Sequence, residues 1–156
     1  MIPPLAIGRG LPSIGKKRRK HEEDDLQITV ASFLEQNFPK GSCVVWYAVP
    51  NGSKREKKQN KKGQWYSPEG AKLKRMGVRA GVADIIIHWK ANDGNTDYTA
   101  SLALELKAEL GKLSPEQKEW AQEWMSVGGI YSICRTLEAV QEELEFNGLK
   151  LKARVM

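Results

Sequence analysis

Two apolar runs joined by a turn restrict this chain more than any other feature. Ile85-Ile86-Ile87-His88-Trp89 is a continuous β-prone run, the pattern of a central strand. "SLALELK" (101–107) alternates, with Leu102, Leu104 and Leu106 on one face and Ser101, Ala103, Glu105 and Lys107 on the other. Between them "NDGNTD" (92–97) carries hairpin chemistry. A turn about Gly94-Asn95 pairs residues whose numbers sum to 189, which sets Asp84 opposite Glu105, to within a residue or two of register. Lys107 shares the face of Glu105, because side chains repeat every two residues.

Two carboxylates and an ammonium thus close the most apolar segments of the chain. Carboxylates ~5 Å apart repel by about 3 kcal/mol at an effective dielectric near 20. A fold tolerates this if one is protonated, if Lys107 neutralises the pair, or if a cation fills the gap. Mg²⁺ or Mn²⁺ takes carboxylate oxygens and keeps several waters, and such an ion polarises a phosphoryl oxygen and activates water. A lysine beside it orients or deprotonates that water and offsets transition-state charge. The plain alternative is a salt bridge from Lys107 to Glu105 or Asp84 at a sheet end. The placement at matching ends of a hairpin, next to a basic loop, favours the metal.

The charge distribution points the same way. The net charge is +6, but residues 1–20 hold six Lys/Arg and no acid, and residues 53–75 hold nine Lys/Arg against Glu56 and Glu69. Those stretches together carry +13, so the rest of the chain carries −7. An acidic body with basic appendages suggests a polyanionic partner; a solvated loop and a solubilising tail are the alternative.

The remaining chain supplies the other elements of one α/β domain with the order α-β-α-β-β-α-β-α. A disordered basic arm is expected over 1–21, its "KKRRK" also matching a nuclear import signal. A first helix follows over about 22–37, with Glu23, Gln27, Val30 and Leu34 on one stripe. "CVVWYAV" (43–49) predicts a strand, and Ser67-Pro68 the start of a short helix to about Met76. Residues 53–66 predict a basic loop. Ser114-Pro115-Glu116-Gln117 opens a helix bearing Trp120 and Trp124, "IYSICR" (130–135) predicts a last strand, and Thr136 caps a final helix to about Phe146. The domain is bounded at 22–150, with a frayed C-terminal tail over 151–156. Cys43 and Cys134 are expected to be buried thiols of a reducing compartment, which places the chain in the cytoplasm. The N-terminus does not read as a signal peptide, and no apolar run approaches the ~20 residues of a membrane span, so no membrane partner is expected.

"GVRAGVADIII" followed by "LALELKAELGKLSPEQKEW", with the upstream "VPNG" and "KLKRMG", resembles the VRR-NUC branch of the PD-(D/E)xK nuclease superfamily. The likeness covers about residues 22–135, departing at Ala83, where the family often has proline. It implies a restriction-endonuclease-like core with a central mixed sheet flanked by helices. It implies that Asp84 and Glu105 bind Mg²⁺ or Mn²⁺, with the carbonyl of Leu106 as a further ligand, and that Lys107 is the catalytic lysine. A first-helix acid belongs to the site in this family; Glu23 is the choice on its inward stripe, with Glu22 as rival. Gln117 matches a family glutamine, although Ser114-x-x-Gln117 is also a capping box. Lys54, Arg55, Lys57, Lys58, Lys61 and Lys62, with Trp65 and Tyr66 beyond, suit a nucleic-acid groove, unless the aromatics pack under the short helix. Lys74, Arg75 and Arg79 lie near Asp84 in sequence and are candidates to hold the scissile strand. His88 and His21 are expected to be a sheet-face and a solvated residue.

The expectation is a Mg²⁺- or Mn²⁺-dependent DNA endonuclease. No recognition helix or zinc finger provides base readout, so specificity for DNA shape is expected. Stand-alone members of the family resemble Holliday-junction resolvases, act as homodimers and are associated with phage and mobile-element replication and repair. That implies branched DNA as substrate and, for a phage protein, the host cytoplasm. An exonuclease, a restriction-type nuclease or a ribonuclease on the same core, and a non-catalytic nucleic-acid-binding module, remain as alternatives.

Overall fold

The computed structural model describes residues 14–50 and 57–155. Four helices and six strands follow in the order α1 (Ile14–Asn37), β1 (Val44–Ala48), β2 (Lys58–Gln59), β3 (Trp65–Tyr66), α2 (Pro68–Arg75), β4 (Ile85–Asn92), β5 (Asp97–Leu106), α3 (Pro115–Ser126), β6 (Ile130–Cys134) and α4 (Leu137–Phe146). The predicted helices and strands are all present, and β2–β3 is added. This antiparallel pair occupies what the sequence predicts as a plain loop, because Asn60 builds a turn there. Its side-chain oxygen accepts the Lys62 and Gln64 N–H groups, both at 2.9 Å.

The four-stranded sheet has the order β1-β4-β5-β6, antiparallel except for the parallel β5–β6 pair. Its mixed character follows from the connections: a tight turn joins β4 to β5, whereas α3 carries the chain from β5 back to a parallel β6. The β4–β5 register runs from Ile85↔Leu104 to Asn92↔Asp97, the predicted sum of 189. Gly94, at φ 98°, lets the turn close, and Asp93 Oδ1 accepts the N–H groups of Asn95 and Thr96.

The alternation in β4 and β5 sorts the core into two layers. Ile85, Ile87, Leu102, Leu104 and Leu106 pack with Val30 and Leu34 of α1 and Val140 and Leu144 of α4. On the other face Ile86 and Ala103 meet Ala83 and Trp120 of α3. Trp124 stacks on Trp120 at 5.1 Å and donates to the Ile130 carbonyl. Ser67, Ser114 and Thr136 cap α2, α3 and α4 as the sequence predicts.

Three expectations need correction. The arm placed at 1–21 divides: residues 1–13 lie outside the described residues, and from Ile14 onward the chain is already α1. No Gly or Pro stands between Gly15 and Asn37, and Lys and Arg are good helix formers, so a polar run without apolar periodicity extends the helix. The tail is docked rather than frayed. Buried Asn37 accepts the N–H groups of Lys152 and Ala153 at 2.7 and 2.9 Å, and Leu151 and Val155 pack on the core. Only Cys134 is a buried thiol; Cys43 is exposed at φ 65°, in the turn before β1. Among the described residues no helix is long and apolar enough to cross a membrane.

Candidate active site

The register that pairs Ile85 with Leu104 brings Asp84 beside the end of β5. Asp84 Oδ2 accepts the Leu106 N–H at 2.8 Å. In a strand the N–H and C=O of one residue point to the same edge, so the Leu106 carbonyl is directed to the side of Asp84. Glu105 lies on the α3 face and is fully buried, and Lys107 is nearly so.

Glu105 is the centre of the constellation. Its Oε1 takes the Lys107 ammonium at 2.8 Å and a short hydrogen bond from Gln117 Nε2. The salt bridge named above as the plain alternative therefore forms, and it forms inside the acidic cluster. Burial, followed by the neighbouring Asp84 charge, pushes the Glu105 carboxyl up to about 7, against the opposing pull of Lys107. Gln117 serves two roles at once. Its Oε1 accepts the Ser114 N–H in the capping box while its Nε2 reaches Glu105.

Glu23 comes to the same place from α1. It is half-buried, whereas Glu22 is exposed. Its Oε1 accepts the Ala108 N–H at 3.2 Å, just past Lys107, and its charge also acts on Glu105.

Arg135, Gly111 and Gly81 support the site from outside the predicted site residues. Arg135 donates to the carbonyls of Ala108 and Gly111, clamping the loop that carries the Glu23 contact. A Cβ at Gly111 would lie 3.1 Å from Glu23 Oε1 and 3.3 Å from Lys107 Cβ. Gly81, at φ 79°, sits so close to α3 that a Cβ would fall 2.2 Å from the Glu116 carbonyl oxygen. Only glycine lets the turn before Asp84 rest on the start of the helix that carries Gln117.

The residues expected to hold nucleic acid are distributed unevenly. Lys54 and Arg55 lie outside the described residues. Lys57, Lys58, Lys61 and Lys62 are exposed on and around β2–β3, where Trp65 and Tyr66 are exposed too instead of packing under α2. Lys74 and Arg75 are exposed on α2. Arg79 differs from expectation: both guanidinium nitrogens bind Glu123 of α3, at 2.7 and 2.9 Å. Such a bidentate pair ties the segment before Asp84 to α3. A groove of about 500 Å³ between α2 and α3 is lined by Lys74, Arg79, Glu116, Glu119 and Trp120, but by neither Asp84 nor Glu105. His88 is half-buried on the sheet, within reach of Ser101 and Tyr47, and His21 is exposed.

The donor set fits a hard divalent cation. Glu105 Oε2 is buried without a hydrogen-bond partner among the described residues, and an orphaned carboxylate oxygen is costly unless something positive meets it. Among the described residues no three His, Cys, Asp or Glu side chains converge as a complete ligand set. Carboxylate and carbonyl oxygens are the donors that a hard divalent cation takes.

A mixed sheet flanked by helices, with two carboxylates and a lysine at the ends of its central strands, is a nuclease-like core. The VRR-NUC domain profile matches residues 21–137, and the chain belongs to that family. Membership implies a nuclease, a phosphodiester hydrolase with DNA as substrate, and suggests a divalent metal. A solved structure described as a VRR_NUC domain protein shares the fold at 22% identity, covering 79% of this chain and 84% of that chain, with a TM-score of 0.53. No curated protein matches.

Proposed function

We propose that this chain is a Mg²⁺- or Mn²⁺-dependent, structure-specific DNA endonuclease that cuts branched duplex as a homodimer in the cytoplasm. The observation that carries the reading is the buried Glu105, gripped by Lys107 and Gln117 on one oxygen and left open on the other. Asp84, Glu105 and the Leu106 carbonyl would hold the ion, with Glu23 contributing directly or through water. When bound, the ion supplies Lewis acidity toward the phosphoryl oxygens and lowers the pKa of water.

The side chains divide the remaining work. Gln117 fixes the Glu105 carboxylate from α3. Lys107 stands beside that carboxylate, where an ammonium can orient the attacking water and offset the charge that develops on the phosphate. Lys57, Lys58, Lys61 and Lys62, with Lys54 and Arg55, supply cations for the backbone flanking the cut, and Lys74 and Arg75 add to them from α2. None of these reads a base, so preference arises from DNA shape.

The test is a cleavage panel of four-way junction, flap, linear duplex and RNA, with and without Mn²⁺. Metal-dependent cutting of junctions over linear duplex is expected. Cutting from ends, cutting at a fixed sequence, or cutting of RNA would each assign a different nuclease on this core. Binding without cleavage would make the cluster only a salt bridge. Sedimentation equilibrium at micromolar concentration should give about twice the chain mass; a monomer, free and on junctions, would remove the paired-cut reading.

A further inference from the structure

Tyr131 lies in β6 opposite Ala103, so its side chain emerges on the face that carries Glu105. Its ring leans against Trp120 at 6.2 Å. Its hydroxyl is buried and has no hydrogen-bond partner among the described residues. The same holds for Glu105 Oε2, carried on the same face by the neighbouring strand. A phenol O–H is a donor, and the orphaned carboxylate oxygen is an acceptor.

If packing against Trp120 were the whole role of this side chain, phenylalanine would serve better. It fills the same space without burying an unsatisfied hydroxyl. The hydroxyl therefore calls for a role in the site.

We infer that Tyr131 is a positioning residue for Glu105, its O–H donating to Oε2 when the carboxylate settles on a divalent cation. A carboxylate oxygen has two lone-pair sites, so this bond leaves one free for the ion. Glu105 would then be held by donors from three elements: Lys107 following β5, Gln117 on α3 and Tyr131 on β6. Partners that orient a metal-bound carboxylate commonly change metal affinity by 10- to 100-fold when removed. The inference rests on the reading that Asp84 and Glu105 hold the ion.

The experiment is Mn²⁺ titration of the full chain by calorimetry, without DNA, for wild type, Tyr131→Phe and Glu105→Gln. Wild type should bind, Glu105→Gln should lose binding, and Tyr131→Phe should bind about 10- to 100-fold more weakly. The metal-free melting temperature of Tyr131→Phe should match or exceed that of wild type, since a buried orphan is removed. In cleavage assays its half-maximal Mn²⁺ concentration should rise by the same factor. Wild-type Mn²⁺ affinity in Tyr131→Phe would overturn the inference while leaving the metal site standing. Absence of Mn²⁺ binding by the wild type would remove the metal reading and this inference with it.

Discussion

The stability of metal-free Glu105→Gln relative to wild type should rise with pH. The folded state holds this carboxyl at about 7, against an ordinary value of 4.5. A raised folded pKa means that the native state binds the proton more tightly than the unfolded chain. Its contribution to stability is therefore fully present below pH 4.5 and is lost as pH rises through 7. At about 1.4 kcal/mol per unit the loss is on the order of 3 kcal/mol by pH 8 and under ~1 kcal/mol at pH 5. Glu105 is fully buried, so solvent screening does not erode that figure. The amide that replaces the carboxyl does not titrate, and ionisable groups remote from this cluster are common to both proteins and cancel in the difference. Urea unfolding in EDTA should show the variant gaining about 2–3 kcal/mol relative to wild type between pH 5 and pH 8. In thermal melts this is roughly 4–12 °C for a domain of this size. Excess Mn²⁺ should offset that gain, adding about 2.7 kcal/mol to wild type at 100 times Kd and nothing to the variant. A stability difference that is the same at pH 5 and pH 8 would refute the reasoning, because Glu105 would then ionise as an ordinary carboxyl.

Asp84→Ala should abolish cleavage and leave a folded chain, since it removes a like charge from Glu105; circular dichroism alongside a nuclease assay checks both. Lys107→Ala should lower the cleavage rate by about 10²–10⁴ with DNA binding retained, and a variant cutting at the normal rate would sink its assignment. Gly81→Ala should cost well over ~1 kcal/mol in a urea melt, because the backbone is left-handed there and the new Cβ meets the start of α3. Cleavage should fall further than stability alone explains, as Gln117 is displaced from Glu105. Changing Lys57, Lys58, Lys61 and Lys62 to Gln should weaken junction and duplex binding alike. If about six phosphates are neutralised in wild type, log affinity against log salt has a slope near −5, and the variant should flatten it by up to ~3 units; an unchanged slope would make β2–β3 a solvated surface feature.

Sequence alone determined the elements whose signals are local. The alternation of Leu102, Leu104 and Leu106 and the turn at Gly94 set the β4–β5 register, because both depend on residues adjacent in the chain. The caps at Ser67, Ser114 and Thr136 were legible for the same reason. Family resemblance suggested roles for Asp84, Glu105 and Lys107, which spacing by itself left open against a salt bridge. Tertiary structure decided what meets across long separations. Glu23 reaches Ala108, Arg135 holds the loop after Lys107, and Tyr131 joins the face of Glu105 from β6, each through a neighbour that no periodicity names. It also redirected what sequence proximity suggested. Arg79, five residues before Asp84, turns to Glu123 because α3 packs over the Gly81 turn and brings a carboxylate within bidentate reach. Local patterning states which face of an element is apolar, whereas the element that covers it, and the polar side chains that arrive with that element, follow only from how the layers pack.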